Sequence, residues 1–196
     1  MAKINHYMNN CIQIKISLAL FAVFILNTDC LAQQSDDRLL WNGNYQLTVS
    51  DFGIKTNSLE NSSSFAQFSL DYQLNGFDFM ARNFNKKVRN YLIRSASWID
   101  TSANIPQSLR YQQTLFNISE IYTRQFRKAL RENRKKIIMG TQIAEELNQN
   151  IMAEFSKRRM DYIRETDYGK NEIKQKEWEA LIQKEIAALN NFAFDR

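Results

Sequence analysis

The sequence predicts an α+β domain in which strands come first and helices follow. Three observations point there. A strand-like signal runs from Trp41 to about Trp98, with clean period-two alternation at Phe68–Leu74, and a helical period takes over after Asp100. The only proline, Pro106, stands at that change, where a first helical turn tolerates it. The 196 residues supply 44% hydrophobic side chains, enough for one domain with an ordinary core.

The elements follow in order. Lys3 and Lys15 precede an uninterrupted apolar run, Ile16 to Leu26, about half the roughly 20 residues that a membrane span needs. With Ala32 before a cleavage point, residues 1–32 are expected to be a secretory signal peptide and Gln33 the mature start, which places the protein outside the cytoplasm, secreted or periplasmic, with no transmembrane segment after cleavage. An uncleaved anchor, or a lipoprotein acylated at Cys30, are the alternatives; Asn27 and Asp29 suit the latter badly. Both cysteines, Cys11 and Cys30, and the only histidine, His6, lie in that segment. The expected mature domain, 33–196, therefore has no disulfide, thiol or imidazole, although secretion would permit disulfides. The net charge of +5 falls to about +4, too little to imply nucleic acid.

Residues 33–40 are polar and expected to be loose. Tyr45–Val49 is short and β-prone. Phe68–Leu74 alternates, with Phe68, Leu70, Tyr72 and Leu74 on one face, and Asn75-Gly76 before Phe77–Phe84 is a strong hairpin signal. Leu59–Ser64 reads as a polar loop and Val88–Ile99 as a further strand. Three helices are expected: Pro106 to about Arg134; Thr141 to Arg164, with Ile143, Leu147, Ile151 and Phe155 four apart; and, beyond Gly169, Asn171 to Leu189, burying Ile173, Trp178, Leu181, Ile182 and Ile186.

On the first helix, Tyr111, Leu115, Tyr122 and Phe126 fall within about 60° of one another and define an apolar face. Arg124, Arg127, Lys128, Arg131, Arg134 and Lys135 fall on an almost opposite stripe, expected to be solvated and partly neutralised by Glu145, Glu146, Glu154 and Glu165, or to meet an anionic surface such as lipid headgroups. The pair Asp161 and Glu165, spaced i, i+4, reads as a solvated helix face. Nucleophile triads need a base such as histidine, which the mature domain lacks.

Leu109 to Leu130, LRYQQTLFNISEIYTRQFRKAL, resembles the core motif of a family of secreted bacterial proteins described as predicted zinc-dependent proteases, in which the helix reads approximately LxHEQGHFDIxExxARxLRxxL. Histidines at i and i+4 share a helix face and bind Zn²⁺ together, and the glutamate between them serves as general base. Here Tyr111 and Leu115 stand at the histidines and Gln112 at the glutamate, while Gln113, Phe116, Ile118, Glu120, Arg124 and Arg127 match. Trp41 and Leu47–Gly53 resemble the family's opening W…LTWxDFxG, and Ser95–Asp100 its SW segment. Tyr162–Trp178 resembles YDxETxHGxNxxxQxxW, with Tyr168 where the family has a plausible third ligand. The resemblance implies a zincin-like fold that has lost its metal, with no cofactor and no proteolytic activity. Its work is then expected to be binding to a protein or envelope component. The rivals are a hydrolase using carboxylates or another metal, and a structural envelope component or regulator of an active relative. Either Tyr111, Leu115 and Tyr168 fill the volume of the vanished metal, or Tyr111, Gln112 and Tyr168 line a pocket that still takes a peptide or small molecule.

Overall fold

The structure, a computed structural model, describes residues 37–57, 62–73, 78, 84–140 and 142–196. The expected signal peptide and the Asn75-Gly76 turn lie outside these residues, as does nearly all of Phe77–Phe84. The α+β reading holds: a small mixed sheet precedes the helices. Leu39–Arg196 forms one compact unit.

The sheet is organised by one long strand. β1 is Arg38–Leu40, β2 Ile54–Thr56, β3 Ser64–Tyr72 and β4 Val88–Asp100. β3 lies antiparallel along one edge of β4, with Ser64 opposite Ile99 and Tyr72 opposite Val88. The other edge of β4 is shared by successive short segments. The Trp41 N–H donates to the Asn90 carbonyl, the Gly53 N–H to the Arg94 carbonyl, and β2 then runs parallel to Trp98–Asp100. Gly53 is required by this approach, because a Cβ there would lie 2.6 Å from the Arg94 carbonyl oxygen. A register shift between Phe65 and Gln67 is bridged by Ser97, whose hydroxyl accepts from the Gln67 N–H and donates to the Ile93 carbonyl.

Two readings of the N-terminal half are corrected. Arg38–Leu40 is a strand rather than a loose lead-in. Tyr45–Val49 is not a strand: the N–H groups of Tyr45, Leu47 and Thr48 are engaged locally or by the first helix instead of a ladder. The Leu47 N–H donates to Gln113 Oε1 and the Thr48 N–H to Asp51 Oδ2, which closes a short 3₁₀ turn at Val49–Asp51.

The helices start and stop near the expected places. α1 is Ile105–Glu132, with the Asn104 side chain accepting from the Gln107 N–H. It ends two residues before the expected Arg134, and a separate four-residue turn, α2, covers Arg134–Ile137. α3 is Gln142–Thr166, and α4 is Glu172–Ala188, capped by Asn171. No helix among the described residues is long and apolar enough to cross a membrane.

α1 packs on β3 and β4 on one side and on α3 and α4 on the other, making it the middle layer of three. One core cluster joins Phe52, Phe68, Leu92 and Ile99 of the sheet side to Leu115, Phe116, Ile118, Tyr162, Trp178 and Ile182 of the helices, with the rings of Phe68 and Phe116 stacked at 5.2 Å. A second, at the far end of α1, gathers Phe84, Val88, Phe126, Leu130, Ile137 and Ala144. In α4 only Trp178 and Ile182 of the expected set are buried, with Ile186 half-buried; Ile173 and Leu181 are exposed, since only one side of α4 meets the rest of the unit.

Candidate functional site

The expected division of α1 into an apolar face and a solvated basic face is overturned by its central position. The middle of its polar stripe is buried too. The guanidinium groups of Arg124 and Arg127 are 4% and 1% exposed, and both donate to Oε1 of Glu120, at 3.0 and 2.8 Å. Glu120 thus neutralises them from their own helix, in place of the expected glutamates of α3. The second cation is absorbed by carbonyl groups at the ends of other elements. Arg127 donates twice to Val88 at the start of β4 and once to Phe192, and Arg124 donates to Ile186 in the last turn of α4, where carbonyls lack helical partners. Burial pulls the Arg127 guanidinium below its ordinary basicity, and Glu120 opposes that.

The N-terminal segment closes over the same stripe. The Trp41 indole donates to Asn117 and its ring lies under Arg124, while Gln113 holds Leu47. Arg131 sits over the rings of Phe84 and Phe192. Of the six residues expected to form an anionic-surface patch, Arg124 and Arg127 are therefore structural, Arg131 is half-covered, and Lys128, Arg134 and Lys135 remain exposed.

Of the four positions singled out by the expected resemblance, Tyr111, Gln112, Leu115 and Tyr168, the structure draws two together across 57 residues of chain. The Tyr111 ring lies 6.2 Å from that of Tyr168 and stacks on Tyr162 at 5.3 Å. Leu115, one turn on, lies in the same cluster as Tyr111, Tyr162 and Trp178. Tyr168 is delivered by a turn after α3 in which Asp167, Tyr168 and Gly169 all have positive φ. At Gly169 the reason is space, since a Cβ would stand 2.9 Å from Tyr111 Cβ. Burial pushes the phenols of Tyr111 and Tyr162 well above the ordinary tyrosine range. Gln112 points instead towards the sheet, where its Nε2 donates to the Ser64 hydroxyl at 3.0 Å.

Tyr111, Gln112 and Leu115 are buried and Tyr168 is half-buried, so side chains occupy the space around Tyr111. Among the described residues no group of three His, Cys, Asp or Glu is placed to hold a metal. The Asp161 and Glu165 carboxylates are engaged separately, by Arg164 and by the Trp178 indole.

An open groove of about 630 Å³ does lie between the first and last helices, but on a different side of α1. Arg110, Gln113 and Asn117 of α1 face Glu179 and Gln183 of α4 across it, with Gln46 at its rim. Arg110 grips Glu179 with two hydrogen bonds, at 2.6 and 2.8 Å, and Glu172 with a third. Burial works against the Glu179 charge, yet the hydrogen bonds from Arg110 and Gln175 prevail, and the carboxyl titrates below its ordinary range. Groove and filled site are joined by one chain of hydrogen bonds: Tyr162 donates to Gln175, and Gln175 donates to Thr114 and Glu179.

Sequence reasoning missed the Arg110–Glu179–Gln175 network and the buried Glu120 centre. The signal for the Glu120 centre was Glu120 and Arg124 spaced i, i+4 on the stripe that also carries Gln113 and Arg127; the Arg110–Glu179 link joins residues 69 apart and has no local signal. No family model, curated protein or solved structure matches the chain.

Proposed function

We propose that the chain is a non-catalytic, zincin-like binding domain, a degenerate relative of the HExxH-type secreted proteases. The observation that carries this reading is that Tyr111 meets Tyr168, with Leu115 one turn on from Tyr111 in the same core. A metal-binding ancestor would need its three ligand positions to meet there, and the present residue types fill that volume with rings. The quoted motifs support the same reading because they interlock in space. Trp41 meets Asn117 and Arg124, Leu47 meets Gln113, and Tyr162 and Gly169 meet Tyr111. The residues shared with the family hold the architecture, and the substituted ones are those that would hold zinc.

With the old site filled, a ligand's place is the groove between α1 and α4. Its amides and the Arg110–Glu179 pair offer both donors and acceptors over the apolar Leu47 and Leu109, a lining suited to a peptide segment of a protein or envelope partner.

The test is restoration. The chain carrying Tyr111→His, Gln112→Glu, Leu115→His and Tyr168→His together is expected to bind zinc stoichiometrically, as read by titration against a chromophoric chelator. A folded quadruple variant that takes up no zinc sinks the proposed ancestry. Photo-crosslinking from Gln183 in the unaltered sequence tests the groove: a discrete adduct with envelope extract is expected, and none would remove the groove reading.

A further inference from the structure

The corner between α1 and α3 combines two features that no structural role in the fold explains. Arg134, Lys135 and Lys136 are consecutive, exposed and, among the described residues, without a carboxylate partner. Directly after them come Ile138 at 56% and Met139 at 90% exposure, the latter the most exposed of the large hydrophobic side chains described. The corner is nevertheless built rather than loose. Ile137 between them is 2% exposed in the second core cluster, and the N–H groups of Ile138, Met139 and Gly140 are bonded to carbonyls within the turn. The next residue, Gly140, has nothing within 4 Å of where its Cβ would be, so the tip stands clear of the body. Cations at the end of α1 gain from the helix dipole, which accounts for some charge there. That gain gives no reason for Met139 to project into water.

We infer that this corner docks the protein on an anionic lipid bilayer, with Ile138 and Met139 entering the boundary between headgroups and acyl chains and Arg134, Lys135 and Lys136 meeting the phosphates. Three cations stand beside two projecting apolar side chains, an arrangement that matches the headgroup phosphates and the acyl layer beneath them. Long cationic side chains next to short apolar ones place charge at the headgroup level while the apolar groups go deeper. Among the described residues no nearby carboxylate forms an ion pair with these three cations: Glu132 lies 3.9 Å from Lys128, and Glu145 and Glu146, at the start of α3, are exposed, with Glu146 accepting from the Gln142 amide. The inference deepens the binding reading above by naming one surface and its chemistry. Its test leaves the metal positions untouched, so each can fail without the other.

The experiment places an environment-sensitive fluorophore on the full chain carrying Cys11→Ser and Cys30→Ser, attached either through Met139→Cys or, near the opposite end of α1, through Lys170→Cys. Vesicles are phosphatidylcholine alone or with about a third phosphatidylglycerol. The label at position 139 is expected to shift to the blue and become shielded from an aqueous quencher on anionic vesicles only, and the label at 170 to stay in water. This local readout separates the corner from any attachment through Ile16–Leu26. Replacing Arg134, Lys135 and Lys136 by Gln is expected to weaken the shift on the order of 100-fold, at about five-fold per cation, and about 0.5 M NaCl to suppress it. A label at 139 that stays quenchable on anionic vesicles overturns the inference. So does an equal shift on neutral vesicles, or a shift with soluble poly-glutamate in place of vesicles, which would assign the corner to an acidic protein.

Discussion

Arg127 Nη1 lies 2.8 Å from Glu120 Oε1, and both side chains are 1% exposed. The pair sits at the centre of the protein, on a helix that the fold surrounds. Its consequence is that removing the carboxylate strands two buried guanidinium groups at once. Glu120→Gln is expected to cost about 3–5 kcal/mol, the range for breaking a buried pair from one side. Lys128→Ala, which breaks only the exposed contact with Glu132, is expected to cost less than about 0.5 kcal/mol. Urea unfolding of both variants checks the contrast; equal losses would mean that the Glu120 centre is hydrated and not buried.

The turn that delivers Tyr168 gives a second test. Gly169 has φ +81° and no room for a Cβ against Tyr111. Gly169→Ala must therefore meet the left-handed penalty of about 1–2 kcal/mol and also push the turn away from α1. A total loss of roughly 2–4 kcal/mol is expected, together with a change in the Trp178 fluorescence, since that ring packs edge-on against Tyr162 at 5.3 Å. A loss no larger than that of Gly140→Ala, where the space is open, would show that the close approach to Tyr111 is not present in solution.

These two sites also mark what a single sequence can reveal. The helix starts were legible because breakers are local chemistry: Pro106, and Asn171 beyond Gly169, announce α1 and α4 within a residue or two, and the structure adds the Asn104 cap. β4 was legible from its concentration of β-branched and aromatic residues, Val88, Tyr91, Ile93, Trp98 and Ile99, without a proline or glycine. Tyr45–Val49 was misread because β-propensity says nothing about who takes the N–H groups, and here a distant glutamine, Gln113, takes one. The basic stripe was misread for a deeper reason. Periodicity separates polar from apolar faces, and it equates polar with solvated. Once α1 is the middle layer, a polar face can be buried if every charge finds an acceptor, and those acceptors are backbone carbonyls at Val88, Ile186 and Phe192, invisible in a list of side chains. The meeting of Tyr111 with Tyr168 was approached only through motif resemblance, since no local pattern pairs residues so far apart.

The last prediction concerns the groove and acid. The Glu179 carboxyl titrates below its ordinary value of 4.5 in the folded protein, with burial opposing the shift and hydrogen bonds from Arg110 and Gln175 producing it. A group with a depressed folded value contributes stability that is fully present above the unfolded value and fades as the pH falls through the folded one. Between about pH 7 and pH 5 the Arg110–Glu179 link should therefore be constant, and below about 4.5 it should weaken. Glu179 is part-exposed, so solvent screens the pair and limits its contribution to about 1 kcal/mol or less. The measurement is the stability difference between the unaltered chain and Glu179→Gln, followed by denaturant titration from pH 7 to pH 3, because other acids titrate in both and cancel. A positive difference that shrinks towards zero as the pH approaches 3 is expected. The groove should loosen in parallel, since Arg110 then loses the partner that ties α1 to α4. A difference that stays level across the range would mean that Gln serves Arg110 as well as the carboxylate does, and that charge is not what holds the two walls together.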